Sequence, residues 1–143
     1  MNLKIAKHIN GQVAKQHTGN NKMPNVRAVI IDERKAEETN YEVAEIKSVV
    51  NDVNDASVYV NADAISLSKV VGIVVNSYYE DGVGLIVECD IVDEDVVQLI
   101  EKDMVCIAPN IIVDKFTSNY VQDIDRLFTT SEPDYVVGET EVM

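Results

Sequence analysis

Hydrolysis by a side-chain nucleophile needs a base beside it to take the proton. This chain of 143 residues has two histidines, His8 and His17. Both lie among turn formers, Gly11, Thr18-Gly19-Asn20-Asn21 and Pro24, where a solvated arm residue is expected rather than a catalyst. Cys89 and Cys106 are too few for a disulfide framework or a zinc site. Each falls in an apolar strand pattern, where a thiol packs as a small hydrophobe. Asp90, Asp93, Glu94 and Asp95 gather carboxylates, but their spacing matches no calcium loop. Asp93 is instead expected to cap a helix, with Glu94 and Asp95 favouring its dipole. There is no Gly-x-Ser-x-Gly, no phosphate-binding glycine loop and no His-Glu-x-x-His. Tyr78-Tyr79 is expected to pack on a sheet at a strand end. No cofactor or metal site is expected. On its residues alone the chain is not an enzyme.

The elements around these residues read as follows. Residues 1–25 form an N-terminal arm. Val26 to Ile31 is a strand that ends on the charges of Asp32-Glu33-Arg34-Lys35. Thr39 and Glu42 have capping-box spacing, so a helix is predicted from Thr39 to about Val50, stopped by Asn51-Asp52-Val53-Asn54-Asp55. Ser57 to Asn61 is a short strand, and Ala62 to Ser68 a loop. Lys69 to Tyr79 and Val83 to Ile91 form a hairpin turned by Glu80-Asp81-Gly82. In the return strand Leu85, Val87 and Cys89 point one way, and Ile86, Glu88 and Asp90 the other. A helix after Asp93 buries Val96, Val97, Leu99 and Ile100. Met104 to Val113 is a strand that Pro109 confines to an edge or bulge. Val121 to Thr129 is the last strand, and residues 131–143 read as an acidic C-terminal tail.

This order predicts an α+β fold: a mainly antiparallel sheet curled toward a small barrel, flanked by two or three helices. One domain is expected over 26–130. The net charge of −13, with no basic cluster, argues against nucleic acid, whose phosphates need clustered Lys and Arg. It also argues against anionic membrane surfaces. It is compatible with a basic protein partner. No apolar run approaches a membrane span, and Met1 to His8 has no signal-like apolar centre, so a cytosolic origin is expected.

Two short peptides flank the central apolar block, Val60-Asn61-Ala62-Asp63 and Cys106-Ile107-Ala108-Pro109. With Val71-Gly72-Ile73-Val74 and Asp81-Gly82-Val83-Gly84-Leu85-Ile86-Val87-Glu88 between them, the stretch 26–115 resembles the head maturation (prohead) proteases of tailed bacteriophages, relatives of herpesvirus assemblin. In that family an Asn-His-Asp-like peptide carries the catalytic base, and a later strand carries a serine before Pro or Ile. The resemblance places those positions at Ala62 and Ala108, with Asp63 as the residue that would orient a base. Alanine neither moves a proton nor attacks a carbonyl. Ser66 and Ser68 lie near Ala62 without a histidine to activate them. The resemblance therefore implies a prohead-protease-like fold with vestigial positions Ala62, Asp63 and Ala108. The implied role is that of an auxiliary, decoration or minor capsid protein of the virion. It would meet the major capsid protein, and other copies of itself, during viral assembly in the host cytoplasm. The alternatives are a head maturation serine protease whose catalytic His and Ser have been replaced by alanine, and an unrelated small cytosolic binding domain.

Overall fold

In the computed structural model the described residues are 25–39, 41–60, 69–113, 121–132 and 136–143. The predicted N-terminal arm, apart from Asn25, lies outside them. Strands are β1 Asn25–Asp32, β2 Ser57–Tyr59, β3 Val70–Glu80, β4 Gly84–Ile91, β5 Cys106–Val113, β6 Val121–Thr130 and β7 Thr140–Val142. Helices are α1 Glu33–Glu38, α2 Val43–Ser48 and α3 Glu94–Glu101, with a 3-10 turn at Asn51–Val53. The seven strands form one sheet in the order β5-β6-β2-β3-β4-β1-β7. All its pairings are antiparallel except β2 with β6, which is parallel. The fold is α+β, as expected, and the sheet is strongly curled into a half-barrel.

The central hairpin is built by a long apolar pair of strands and a short turn. Val83 N donates to Glu80 O at 2.9 Å, and Gly82 takes φ +86° between them. Gly84 follows at φ +133°, and a Cβ there would stand 1.9 Å from Ile31 O. Only glycine lets β4 start this close to β1. Leu85, Val87, Cys89 and Ile91 enter the core, alternating with Glu88 and Asp90. Ile86 faces away from the core and is still fully buried. Arg27, opposite Glu88, and Tyr78, opposite Ile86, come within 3.5 Å of one another across β4 and so cover this position.

Three expectations are corrected. The first concerns the helix predicted from Thr39. The Asp32 carboxylate accepts from Arg34 N at 3.0 Å and Lys35 N at 3.2 Å, so it starts α1 directly after β1. Thr39 is then the end of α1, its hydroxyl donating back to Ala36 O at 2.9 Å. A carboxylate that meets the first helical N–H groups outcompetes the capping-box spacing downstream. α2 starts at Val43 without a side-chain cap and is correspondingly short. Second, β2 ends at Tyr59 rather than Asn61. Third, residues 136–143 are not a tail. Val136 and Val137 are buried, and the segment runs antiparallel along β1 from Asp32 to Asn25. Its N–H and C=O groups find partners there, among them Gly138 N to Val29 O at 2.8 Å and Val29 N to Glu139 O at 2.8 Å. Lys35 Nζ donates to Val137 O at 2.8 Å and ties α1 to the same segment. Its charges hid a strand: exposed Glu139 and Glu141 alternate with half-buried Gly138, Thr140 and Val142 along β1.

Asp93 caps α3 as predicted, accepting from Asp95 N at 2.9 Å and Val96 N at 3.2 Å. Lys69 Nζ stands 3.1 Å from its other oxygen. Val96, Val97 and Ile100 are buried and Leu99 half-buried. Pro109 sits in the outer strand β5, where the ladder shifts register between Pro109 and Ile111. No helix among the described residues is long and apolar enough to cross a membrane.

Two predictions follow from this packing. Deleting residues 136–143 removes two buried valines, about 1.5–3 kcal/mol each, and a row of backbone hydrogen bonds. Against a total stability of about 5–15 kcal/mol this abolishes a cooperative melt in circular dichroism; an unchanged melt would refute the role given to β7. The hydrogen bond from Lys69, then the cap N–H of Val96, holds the Asp93 carboxyl below its ordinary range. Its contribution is complete above the unfolded carboxyl pKa of about 3.9 and is lost as pH falls through the lower folded value. Asp93→Ala should cost about 1 kcal/mol at neutral pH, with a difference from the parent chain that shrinks on acidification. Denaturant titrations at both pH values check this, and a pH-independent difference would refute it.

Candidate functional site

Ala108 lies in β5 opposite Phe128 of β6, and Phe128 is level with Tyr59 of β2. Tyr59, Phe128 and Ala108 thus form a row across three strands. Two strand spacings, about 10 Å, separate its ends. Thr129 Oγ1 donates to Val60 O, which fixes the exit of β2 beside β6. Asn61, Ala62 and Asp63 lie outside the described residues, as do His8, His17, Ser66 and Ser68.

The surroundings of Ala108 decide what chemistry that position permits. Ala108 is fully buried within the core, flanked by buried Ile107 and Pro109. A nucleophile must reach its substrate, and no side chain of alanine's size at this position reaches solvent. The described thiols are also poor nucleophiles. Burial pushes the Cys89 thiol well up, with Asp90 and Glu88 adding to it. Cys106 is half-buried and also raised by burial, against a lowering influence from Lys35. The thiolate is the reactive form, so both changes suppress reactivity. Asp90 accepts from Asn25 Nδ2 at 3.2 Å, and Asp93 is engaged by its helix cap and Lys69. Among the described residues no group of three or more His, Cys, Asp and Glu is placed to hold a metal ion.

The concave feature of interest lies on the other side of β2. A cleft of about 430 Å³ opens between the 3-10 turn, β2 and β6. Ala56 and Ser57, both buried, lie at its base. Tyr59 and Arg126 form one wall, the guanidinium carbon 5.8 Å from the ring centroid. Asp52, Asp55 and Asp125 are exposed at the rim. Asp55 takes φ +69°, a conformation Asp tolerates better than most residues, and its N–H donates to Val74 O at 3.1 Å. Asp125 accepts from Asn110 Nδ2 at 2.7 Å.

Sequence reasoning placed Asn51 to Asp55 in a turn and found no site there. The missed signal is the alternation Ser57-Val58-Tyr59, which puts a hydroxyl and a phenol on the face opposite the core. The pairing of β2 with β6, some sixty residues later, has no local signature. Comparison with protein-family models, with curated proteins and with solved structures finds no match.

Ala108→Ser should give no peptide hydrolysis. It should also lower stability by about 1–3 kcal/mol, because the added hydroxyl is buried in an apolar core. Denaturant unfolding and a fluorogenic peptide assay check both parts, and any hydrolysis would refute the account of this position.

Proposed function

We propose that this chain is a non-enzymatic structural protein of a tailed-phage capsid, built on a prohead-protease-like fold that has lost its chemistry. It is an auxiliary or minor component of the virion. Its partner is the major capsid protein, joined by contacts between its own copies. The observation that carries this reading is Ala108: a fully buried alanine at the position where the resemblance calls for a serine nucleophile. The curled α+β sheet is compatible with the same reading. A fold can keep its surfaces after its catalytic groups are gone. The acidic exterior then serves recognition of a basic partner surface, or solubility.

The test is the protein inventory of purified mature particles. The chain should be present at a fixed ratio to the major capsid protein. Presence in immature heads with absence from mature ones would overturn the structural role in favour of an assembly factor. Restoring both catalytic types, Ala62→His with Ala108→Ser, should leave capsid and scaffold proteins uncut; cleavage would make the chain a disabled protease instead.

A further inference from the structure

Three polar side chains are buried among the described residues: Ser57, Ser77 and Thr129. Ser77 Oγ donates to Val50 O at 2.8 Å, and Thr129 Oγ1 to Val60 O. Ser57 is 4% exposed, and its hydroxyl has no hydrogen-bond partner among the described residues. Leaving a buried hydroxyl unsatisfied costs about 1–3 kcal/mol. Alternation along β2 sends Val58 into the core and turns Ser57 and Tyr59 toward the cleft they both line.

We propose that this cleft is a socket for one cationic side chain, a lysine or arginine presented by a protein partner. The charge of the lining selects the sign. Among the residues lining the cleft the exposed carboxylate of Asp52, and that of Asp125 beside Asn110, outnumber a single guanidinium. That guanidinium is drawn aside over the Tyr59 ring and forms no ion pair with a described residue. An entering anion meets this negative excess, whereas an entering cation is attracted by it. At the base the Ser57 oxygen accepts a hydrogen from the ammonium or guanidinium, which gives a partner to the one buried hydroxyl left without one among the described residues. A volume of about 430 Å³ admits an extended side chain with its flanking main chain. The net charge of −13 raises the local concentration of a basic partner and speeds encounter. The socket rests on the proposed function only for the identity of the partner, the shell protein.

The test uses the full chain, labelled with ¹⁵N and titrated with three capped tripeptides: acetyl-Gly-Lys-Gly-amide, acetyl-Gly-Arg-Gly-amide and acetyl-Gly-Glu-Gly-amide. The basic peptides should shift the amides of Asp55, Ser57, Tyr59 and Arg126 saturably, and the acidic one should not. Which basic peptide binds more tightly identifies the guest. The double variant Asp52→Asn/Asp125→Asn should weaken binding about tenfold. Ser57→Ala should weaken binding while holding or raising Tm, because it removes an unsatisfied buried group. A hydroxyl with a merely structural role gives the reverse, a lower Tm with unchanged affinity, and overturns the proposal. So do shifts spread evenly over the acidic surface, equal binding of the acidic peptide, or no saturable shift at all. Because the peptides report on the cleft whether or not the chain occurs in particles, failure of the socket and failure of the capsid role are read separately.

Discussion

The hydrogen bond from Ile107 N to Thr140 Oγ1, 3.1 Å long, joins the two outermost strands of a seven-stranded sheet. A flat sheet would hold β5 and β7 some six strand spacings apart, so this contact records how far the sheet has curled. The curl encloses one core, into which α1, α2 and α3 send Ala36, Ile46, Val96 and Ile100. It also guards the edges. β5 carries Pro109 and gives its Ile107 N–H to Thr140, and β7 is only three residues long. Short edges and an edge proline discourage strand-to-strand aggregation.

The local elements were largely legible because their signals are local. Asp81-Gly82 turned the hairpin, Asp93 capped α3, and Pro109 chose an edge strand. What escaped depends on distant partners. β7 reads as a charged tail until β1 supplies the other half of its ladder. The helix start at Thr39 was misread because Asp32, at the end of β1, had already taken the capping role. Spacing cannot rank two plausible caps; the strand that delivers the first one can.

The site divides in the same way. The alanines at 62 and 108 stand out only against a family pattern, and the structure adds that Ala108 is sealed in the core. The cleft was invisible because its walls come from β2 and β6, joined by a parallel pairing of Val58 with Leu127 and Tyr59 with Phe128. Ser57 alone could be flagged from alternation. Its missing hydrogen-bond partner could not, because satisfaction of a hydroxyl is a property of three-dimensional neighbours.

The route of the chain through the sheet has a kinetic consequence. β1 is the first described strand in sequence, and one of its two neighbours, β7, is the last. β2 likewise waits for β6. During synthesis the β2–β3, β3–β4 and β1–β4 pairings can form early, leaving one side of β1 and one side of β2 bare until residues 121–142 leave the ribosome. Such long-range pairing makes for slow folding and a nascent chain with open strand edges. A chain with this topology carries open strand edges until its synthesis is complete, so what shields those edges in the interval bears on yield alongside the stability of the finished fold.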